Sequence, residues 1–166
     1  MKRKNKIIGY LLVFIGLFSF LVIGILDRLH QKEQVKNNVA QLPMLQVKSI
    51  TGRFYRIIPK DKPIVLFFFN STCEHCQEEA KHVVENRQKL QSADVYFLST
   101  ENLQDIQNFA EKYQLHHFQV GQVKDEQVSV PMGIQTFPTC FVYSESGNFI
   151  KQFKGQVKMD VITDLF

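Results

Sequence analysis

The run Ile64-Val65-Leu66-Phe67-Phe68-Phe69 most constrains how this chain can fold. Its side chains are all apolar, and most belong to the residue types that favour strands. A half-buried strand alternates apolar and polar positions, and this run does not. It predicts a strand covered on both faces, which places it centrally in a sheet with layers on either side. Asn70-Ser71-Thr72 ends the run, and Cys73-Glu74-His75-Cys76 follows. Ala80, Val83, Val84 and Leu90 then recur at helical spacing with charged residues between them. Two cysteines therefore stand at the start of a helix that leaves a central strand.

The remaining patterns agree with a layered α/β fold. Met44–Ile50 and Arg53–Ile58 read as two short strands around a turn at Thr51-Gly52. Lys60–Pro63 is a loop. Asp94 leads into a second apolar strand, Val95–Thr100. Thr100 or Asn102 can cap a helix with Leu103, Ile106, Phe109, Ala110 and Tyr113 as its buried stripe. Phe118–Val120 suggests a short strand and Gln127–Gly133 a short helix. Thr139–Tyr143 and Phe149–Phe153 form a hairpin about Ser146-Gly147-Asn148. Lys158–Phe166 is a short final helix with Val161, Ile162 and Leu165 on one face. Strands alternating with helices imply an α/β sheet, and the terminal hairpin makes it mixed.

The first part of the chain has a different character. Ile7–Leu26 holds 20 residues without a charge. As a helix they would span roughly 30 Å, the thickness of a bilayer core. Lys2, Arg3, Lys4 and Lys6 precede them, which favours a cytoplasmic N-terminus. The expected organisation is a cytoplasmic basic tail at 1–6, a transmembrane anchor at 7–26, a polar spacer at 27–41 that can continue the anchor's helix, and a folded domain at 42–166. A cleaved signal peptide is the main alternative, and a buried helix of a soluble protein is the other. A signal peptide would have a shorter apolar region and a small-x-small site, and none is convincing after Leu21. Under either leading reading the domain is extracytoplasmic, where disulfides are permitted.

The net charge of +4 comes from 20 basic and 16 acidic residues. The four basic residues at the N-terminus account for all of it, so the rest of the chain is balanced. A nucleic-acid-binding domain would carry an excess of Lys and Arg in its folded part, so nucleic acid is not an expected partner.

A CxxC pair can hold a metal, form an inert disulfide, or open and close as a redox pair. The disulfide would close so small a loop that it would stabilise the fold little. Cys73 at a helix N-terminus has its thiolate favoured by free backbone N–H groups, and a protonated His75 would add to this. Glu74, Glu78 and Glu79 oppose it. Cys76, one turn further in, should be the less exposed. Cys73 is thus the expected nucleophile and Cys76 the resolving cysteine. A structural metal site wants four ligands, and no second CxxC or HxxxH is present. His75, His82, His116 and His117 remain available, but adjacent His116 and His117 would point apart in a strand. No metal or cofactor is expected, although copper held by both cysteines and a distant histidine stays open. Pro138 stands at the entry of a strand expected to neighbour Ile64–Phe69. A cis Phe137–Pro138 bond would explain it, and a trans proline at a strand edge is the alternative. Cys140 reads as a small buried apolar residue, or else as a third redox group.

These segments resemble the thioredoxin superfamily, and within it the membrane-anchored TlpA/ResA-like branch. FFFNSTCEHC is similar to that family's strand and active-site segment. MGIQTFPTCFVYSESGNFIKQFKG is similar to its cis-proline, strand, turn and strand. The resemblance covers Pro43–Phe166. It implies a thioredoxin-like fold: a central mixed β-sheet flanked by helices, with an added N-terminal β-hairpin beside the transmembrane helix. It implies a redox-active Cys73–Cys76 disulfide, a cis Pro138 facing it, and backbone at Phe137 that binds a peptide as an added strand. Glu79 occupies the place of a glutamate that tunes the second cysteine and can accept its proton; the alternative is a solvated helix residue. Three positions depart from the family. Thr72 replaces its tryptophan, and the chain contains no Trp. Phe67 stands where cytoplasmic thioredoxins carry a buried acid. Glu74-His75 mixes a glutamate familiar in reductases with a histidine familiar in disulfide-introducing enzymes.

The expectation is a bacterial, membrane-anchored, extracytoplasmic thiol–disulfide oxidoreductase. It would reduce disulfides of exported proteins and draw electrons from a transmembrane donor. Cytochrome c maturation and general thiol maintenance are the family's settings. A disulfide oxidase or isomerase, a copper chaperone and a thioredoxin-like binding module are the alternatives.

Overall fold

All five residues of strand Ile64–Phe68 are buried, and their side chains divide between two cores. Val65 and Phe67, with Phe69 beyond them, pack with Ala80, Val83, Ile106, Phe109 and Ile162. Ile64, Leu66 and Phe68 pack with Val39, Leu45, Val47, Met132 and Ile134. Alternation along a strand sends successive side chains to opposite faces, so an unbroken apolar run requires a core on each side.

The computed structural model describes the backbone from Lys2 and the side chains from Ile15 to Phe166. In chain order the elements are α1 (Lys2–Val39), β1 (Gln46–Ser49), β2 (Phe54–Arg56), β3 (Ile64–Phe68), α2 (Glu74–Glu85), β4 (Asp94–Ser99), α3 (Leu103–Lys112), β5 (Gln119–Gln122), α4 (Asp125–Val128), β6 (Thr139–Tyr143), β7 (Phe149–Lys154) and α5 (Met159–Thr163). One seven-stranded sheet runs in the order β2-β1-β5-β4-β3-β6-β7. β3 pairs in parallel with β4 and antiparallel with β6, so the sheet is mixed. Phe67 sits opposite both Phe97 of β4 and Cys140 of β6. The N-terminal hairpin, β1 with β2, adds to the sheet along β5.

Helices α2, α3 and α5 cover one face, while the other is closed by the end of α1, the short α4 and irregular chain. Val39 is buried in that second core, and Asn38 Nδ2 donates to Pro131 O at 3.1 Å. Val35 lies against Gly133, where an added Cβ would come within 3.0 Å of its Cγ1. Phe149 N donates to Ala40 O at 3.0 Å and Leu42 N to Gly147 O at 2.8 Å. The polar spacer is therefore helical to Val39, and its end is built into the domain.

Some boundaries differ from the sequence expectation for local reasons. α2 stops at Glu85, and Leu90 closes a separate 3-10 turn, Arg87–Leu90. α4 has only four residues, because Pro131 lacks the N–H a longer helix needs and Gly133 turns to a φ of +64°. Asn102, rather than Thr100, caps α3, its side chain accepting from Asp105 N at 3.0 Å.

Among the described residues no helix is long and apolar enough to cross a membrane. The expected span Ile7–Leu26 lies partly outside them, since nothing is described of the side chains at 7–14.

Candidate active site

β3 ends where Phe69 N donates to Leu98 O at 3.0 Å, and the chain then turns sharply. Asn70 Oδ1 accepts from Thr72 N at 3.0 Å and from Thr72 Oγ1 at 2.7 Å. A short polar side chain bonded to backbone two residues on makes a turn without help from distant residues. Asn70 O accepts from Cys73 N at 3.2 Å, which brings Cys73 to the N-cap of α2. Cys73 is extended there (φ −78°, ψ 118°), and its side chain does not cap the helix. Its carbonyl accepts from Cys76 N and Gln77 N, both at 3.1 Å, to start the first turn.

The two thiols differ. Cys73 is half-buried, whereas Cys76 is 1% exposed. Burial pushes the Cys76 thiol well above its usual range, and neighbouring Cys73 and Glu101 push the same way against a lowering bond from the Asn70 backbone. Both are free thiols here. Cys73 Sγ donates to Phe137 O at 3.6 Å, and the Phe137–Pro138 peptide is cis. Pro138 O accepts from Gly155 N at 2.8 Å, so the loop is tied to the chain just after β7.

Glu79 lies on α2 three residues after Cys76 and is only 2% exposed. It is thus not a solvated helix position. Its Oε2 accepts from Val157 N at 3.2 Å, and its Oε1 is buried without a protein partner. Burial pushes the carboxyl up to about 7, and the Val157 bond opposes this. Cys140 is also buried, its thiol pushed well above the usual range by burial and then by the Glu79 carboxylate. Glu74 and His75 face solvent at the first turn.

The remaining histidines do not converge on the cysteines. His82 is exposed on α2. His116 and His117 lie in a 3-10 turn with ring centroids 4.1 Å apart. Among the described residues no three His, Cys, Asp or Glu side chains gather to hold a metal ion.

Two residues absent from the sequence reading belong to the site. Gln77 Nε2 donates to Ser71 O at 3.0 Å, and Glu101 bonds Ser71 from the other side. Glu101 lies 30 residues beyond Ser71. No local pattern reports so distant a contact.

The sequence profile of the AhpC/TSA family matches residues 38–152. No curated protein matches the sequence. Among solved structures, StoA from Bacillus subtilis is similar at a TM-score of 0.62 and 20% identity, over 76% of this chain and 98% of that one. DsbF of MTB, in mixed oxidized and reduced forms, is similar at 0.64 and 24%, over 76% and 94%. A thiol:disulfide interchange protein of the thioredoxin family from Chlorobium tepidum is similar at 0.66 and 18%, over 76% and 92%. The chain shares a thioredoxin-like fold with these proteins, in agreement with the resemblance of its motifs.

Proposed function

The chain belongs to the AhpC/TSA family, and on that footing we propose that it is a thiol–disulfide oxidoreductase acting through Cys73 and Cys76. The observation that carries this reading is the asymmetry of the pair. Cys73 is accessible at a helix start and meets the Phe137 carbonyl at 3.6 Å, while Cys76 is buried behind it with its thiol held protonated. Such a pair has an entry thiol and a reserve thiol. The likeness to proteins named for thiol:disulfide interchange supports the same reading.

In the reducing direction, Cys73 as thiolate attacks one sulfur of a substrate disulfide. The substrate S–S bond breaks, a mixed disulfide forms, and the departing sulfur takes a proton. Cys76 must then lose its proton to attack Cys73 Sγ. Glu79, on the same face of α2 and with a carboxyl near 7, is the proposed acceptor. As the Cys73–Cys76 bond forms, the bond between Cys73 and the substrate breaks and the second substrate sulfur takes up a proton, so the substrate leaves as a dithiol, the pair is left as a disulfide, and two electrons have passed from the pair to the substrate. A transmembrane electron donor would restore them. Backbone at Phe137, beside the cis Pro138, would hold the substrate segment as an added strand.

The proposed setting is a membrane anchor at 7–26 with a cytoplasmic tail at 1–6, the domain at 42–166 extracytoplasmic, and exported proteins as substrates. The exposed apolar side chains of α1, among them Phe18, Phe20 and Leu21, support an anchor. Reduction of insulin by the full chain in detergent tests the activity, which Cys73→Ser should abolish. An active serine variant would sink the reading. Labelling of Cys73 in intact cells by a membrane-impermeant maleimide tests the topology, and protection until lysis would refute it.

A further inference from the structure

Glu101 lies two residues past the end of β4, outside both the cysteine motif and the Phe137–Pro138 loop. Its carboxylate reaches the turn that precedes Cys73. Oε2 accepts from Ser71 N at 2.7 Å and Oε1 from Ser71 Oγ at 2.8 Å. Oε2 also accepts from Ser99 Oγ at 3.1 Å. Glu101 is itself held at both ends of its backbone: its N–H donates to Ser99 Oγ at 3.2 Å, and its carbonyl accepts from Gln122 Nε2 at 2.8 Å. With Gln77 on the Ser71 carbonyl, every polar group of Ser71 is bonded.

A half-buried carboxylate is expensive to desolvate, and ordinarily a cation beside it offsets this. Among the described residues the ion pairs are Lys89–Asp160 and Lys124–Glu126, so Glu101 is satisfied by hydrogen bonds instead. Bonds to an ionised acceptor are shorter and stronger than neutral ones, and the 2.7 Å contact from Ser71 N lies at the short end for an N–H donor, while the 2.8 Å hydroxyl contact is of ordinary length. Ser71 stands two residues before Cys73 inside the Asn70–Thr72 turn, so whatever fixes Ser71 fixes the path of the chain into Cys73.

We propose that Glu101 is a positioning residue for the cysteine pair: its two-pronged grip on Ser71 sets where Cys73 Sγ lies against the Phe137 carbonyl. The proposal rests on the reading of Cys73 as the entry thiol.

Glu101→Ala and Glu101→Gln in the full chain test this by iodoacetamide labelling of the reduced protein, resolved by peptide mass. Glutamine keeps an acceptor for Ser71 N, and the Ser71 hydroxyl can turn to accept from its amide. Glu101→Ala is expected to lower the ratio of Cys73 to Cys76 labelling and the rate of insulin reduction by about tenfold, as one charge-assisted bond converts. Glu101→Gln should recover most of the insulin rate. An alanine variant with the wild-type ratio and rate overturns the proposal, and so does a glutamine variant whose rate falls as far as alanine's. Should Glu101→Ala not fold, Ser71→Ala removes one prong only and is expected to move the ratio the same way; an unchanged ratio overturns the proposal. Labelling needs no disulfide substrate, so a wild-type chain inactive on insulin would refute the functional reading separately.

Discussion

Cys73 Sγ and the carbonyl oxygen of Phe137 meet at 3.6 Å across 64 residues of chain. The contact joins the helix that carries the cysteines to the loop that carries Pro138. Under the proposed function, a substrate disulfide that reaches Cys73 meets the Phe137 backbone beside it. Cys76 is shielded behind, at 1% exposure.

Alkylation of the reduced chain near neutral pH should consequently label Cys73 at least about tenfold faster than Cys76 or Cys140. Burial withholds both of the latter and raises their thiols. Preferential modification of Cys140, read by peptide mass, would reverse the assignment. Cys76→Ser should leave the first attack intact and accumulate a mixed disulfide with substrate, visible on a non-reducing gel.

Glu79 predicts a definite pH dependence. Its carboxyl is raised from the ordinary 4.5 to about 7 in the folded chain. Between those values the folded state holds a proton that the unfolded state has lost, so stability is greatest below the unfolded value and falls as pH rises to about 7. Glu79→Gln should remove that slope and stabilise the protein near pH 8, by on the order of 1–3 kcal/mol. The same variant should slow release of the mixed disulfide if the carboxylate takes the Cys76 proton. Urea unfolding at several pH values, with single-turnover exchange, checks both; an unchanged slope would mean that Glu79 does not titrate there.

Cys140→Ala should cost about 1 kcal/mol for a small cavity in the sheet and leave insulin reduction within about twofold. A loss of exchange comparable to that of Cys73→Ser would make Cys140 a third redox group.

The charge arrangement bears on the direction of electron flow. His75 is solvent-exposed beside exposed Glu74 and Glu78, so screening limits what it adds to the reduced state. Burial of Cys76 favours the disulfide. The expected reduction potential is about −200 to −270 mV, between the glutaredoxin and thioredoxin values. Equilibration with glutathione buffers measures it. A value above about −150 mV would identify an oxidase, and His75→Pro should then lower it.

What the sequence determined by itself is whatever depends on neighbours within a few residues. The six-residue apolar run that contains β3, with its strand-to-helix turn, the periodic stripe of α3 and the hairpin at Gly147 each follow from such short-range patterns. So does the order of the cysteines, because position in the first turn of a helix decides which thiol faces solvent. The tertiary structure decided what depends on chain far away. Glu79 could be read as solvated or buried from its place on α2, and only packing against the Val157 segment settles it as buried. The second face of the sheet was legible as needing cover, but not that Val39 and the short α4 region would supply it. Glu101 carries no local mark, since its role arises only when β4 and β3 lie side by side and bring it to Ser71. Local patterns specify elements because backbone preference and hydrophobic period act over one or two turns. A site is assembled by contacts across tens of residues, and each side chain's chemistry there is set by the burial and partners that folding brings to it.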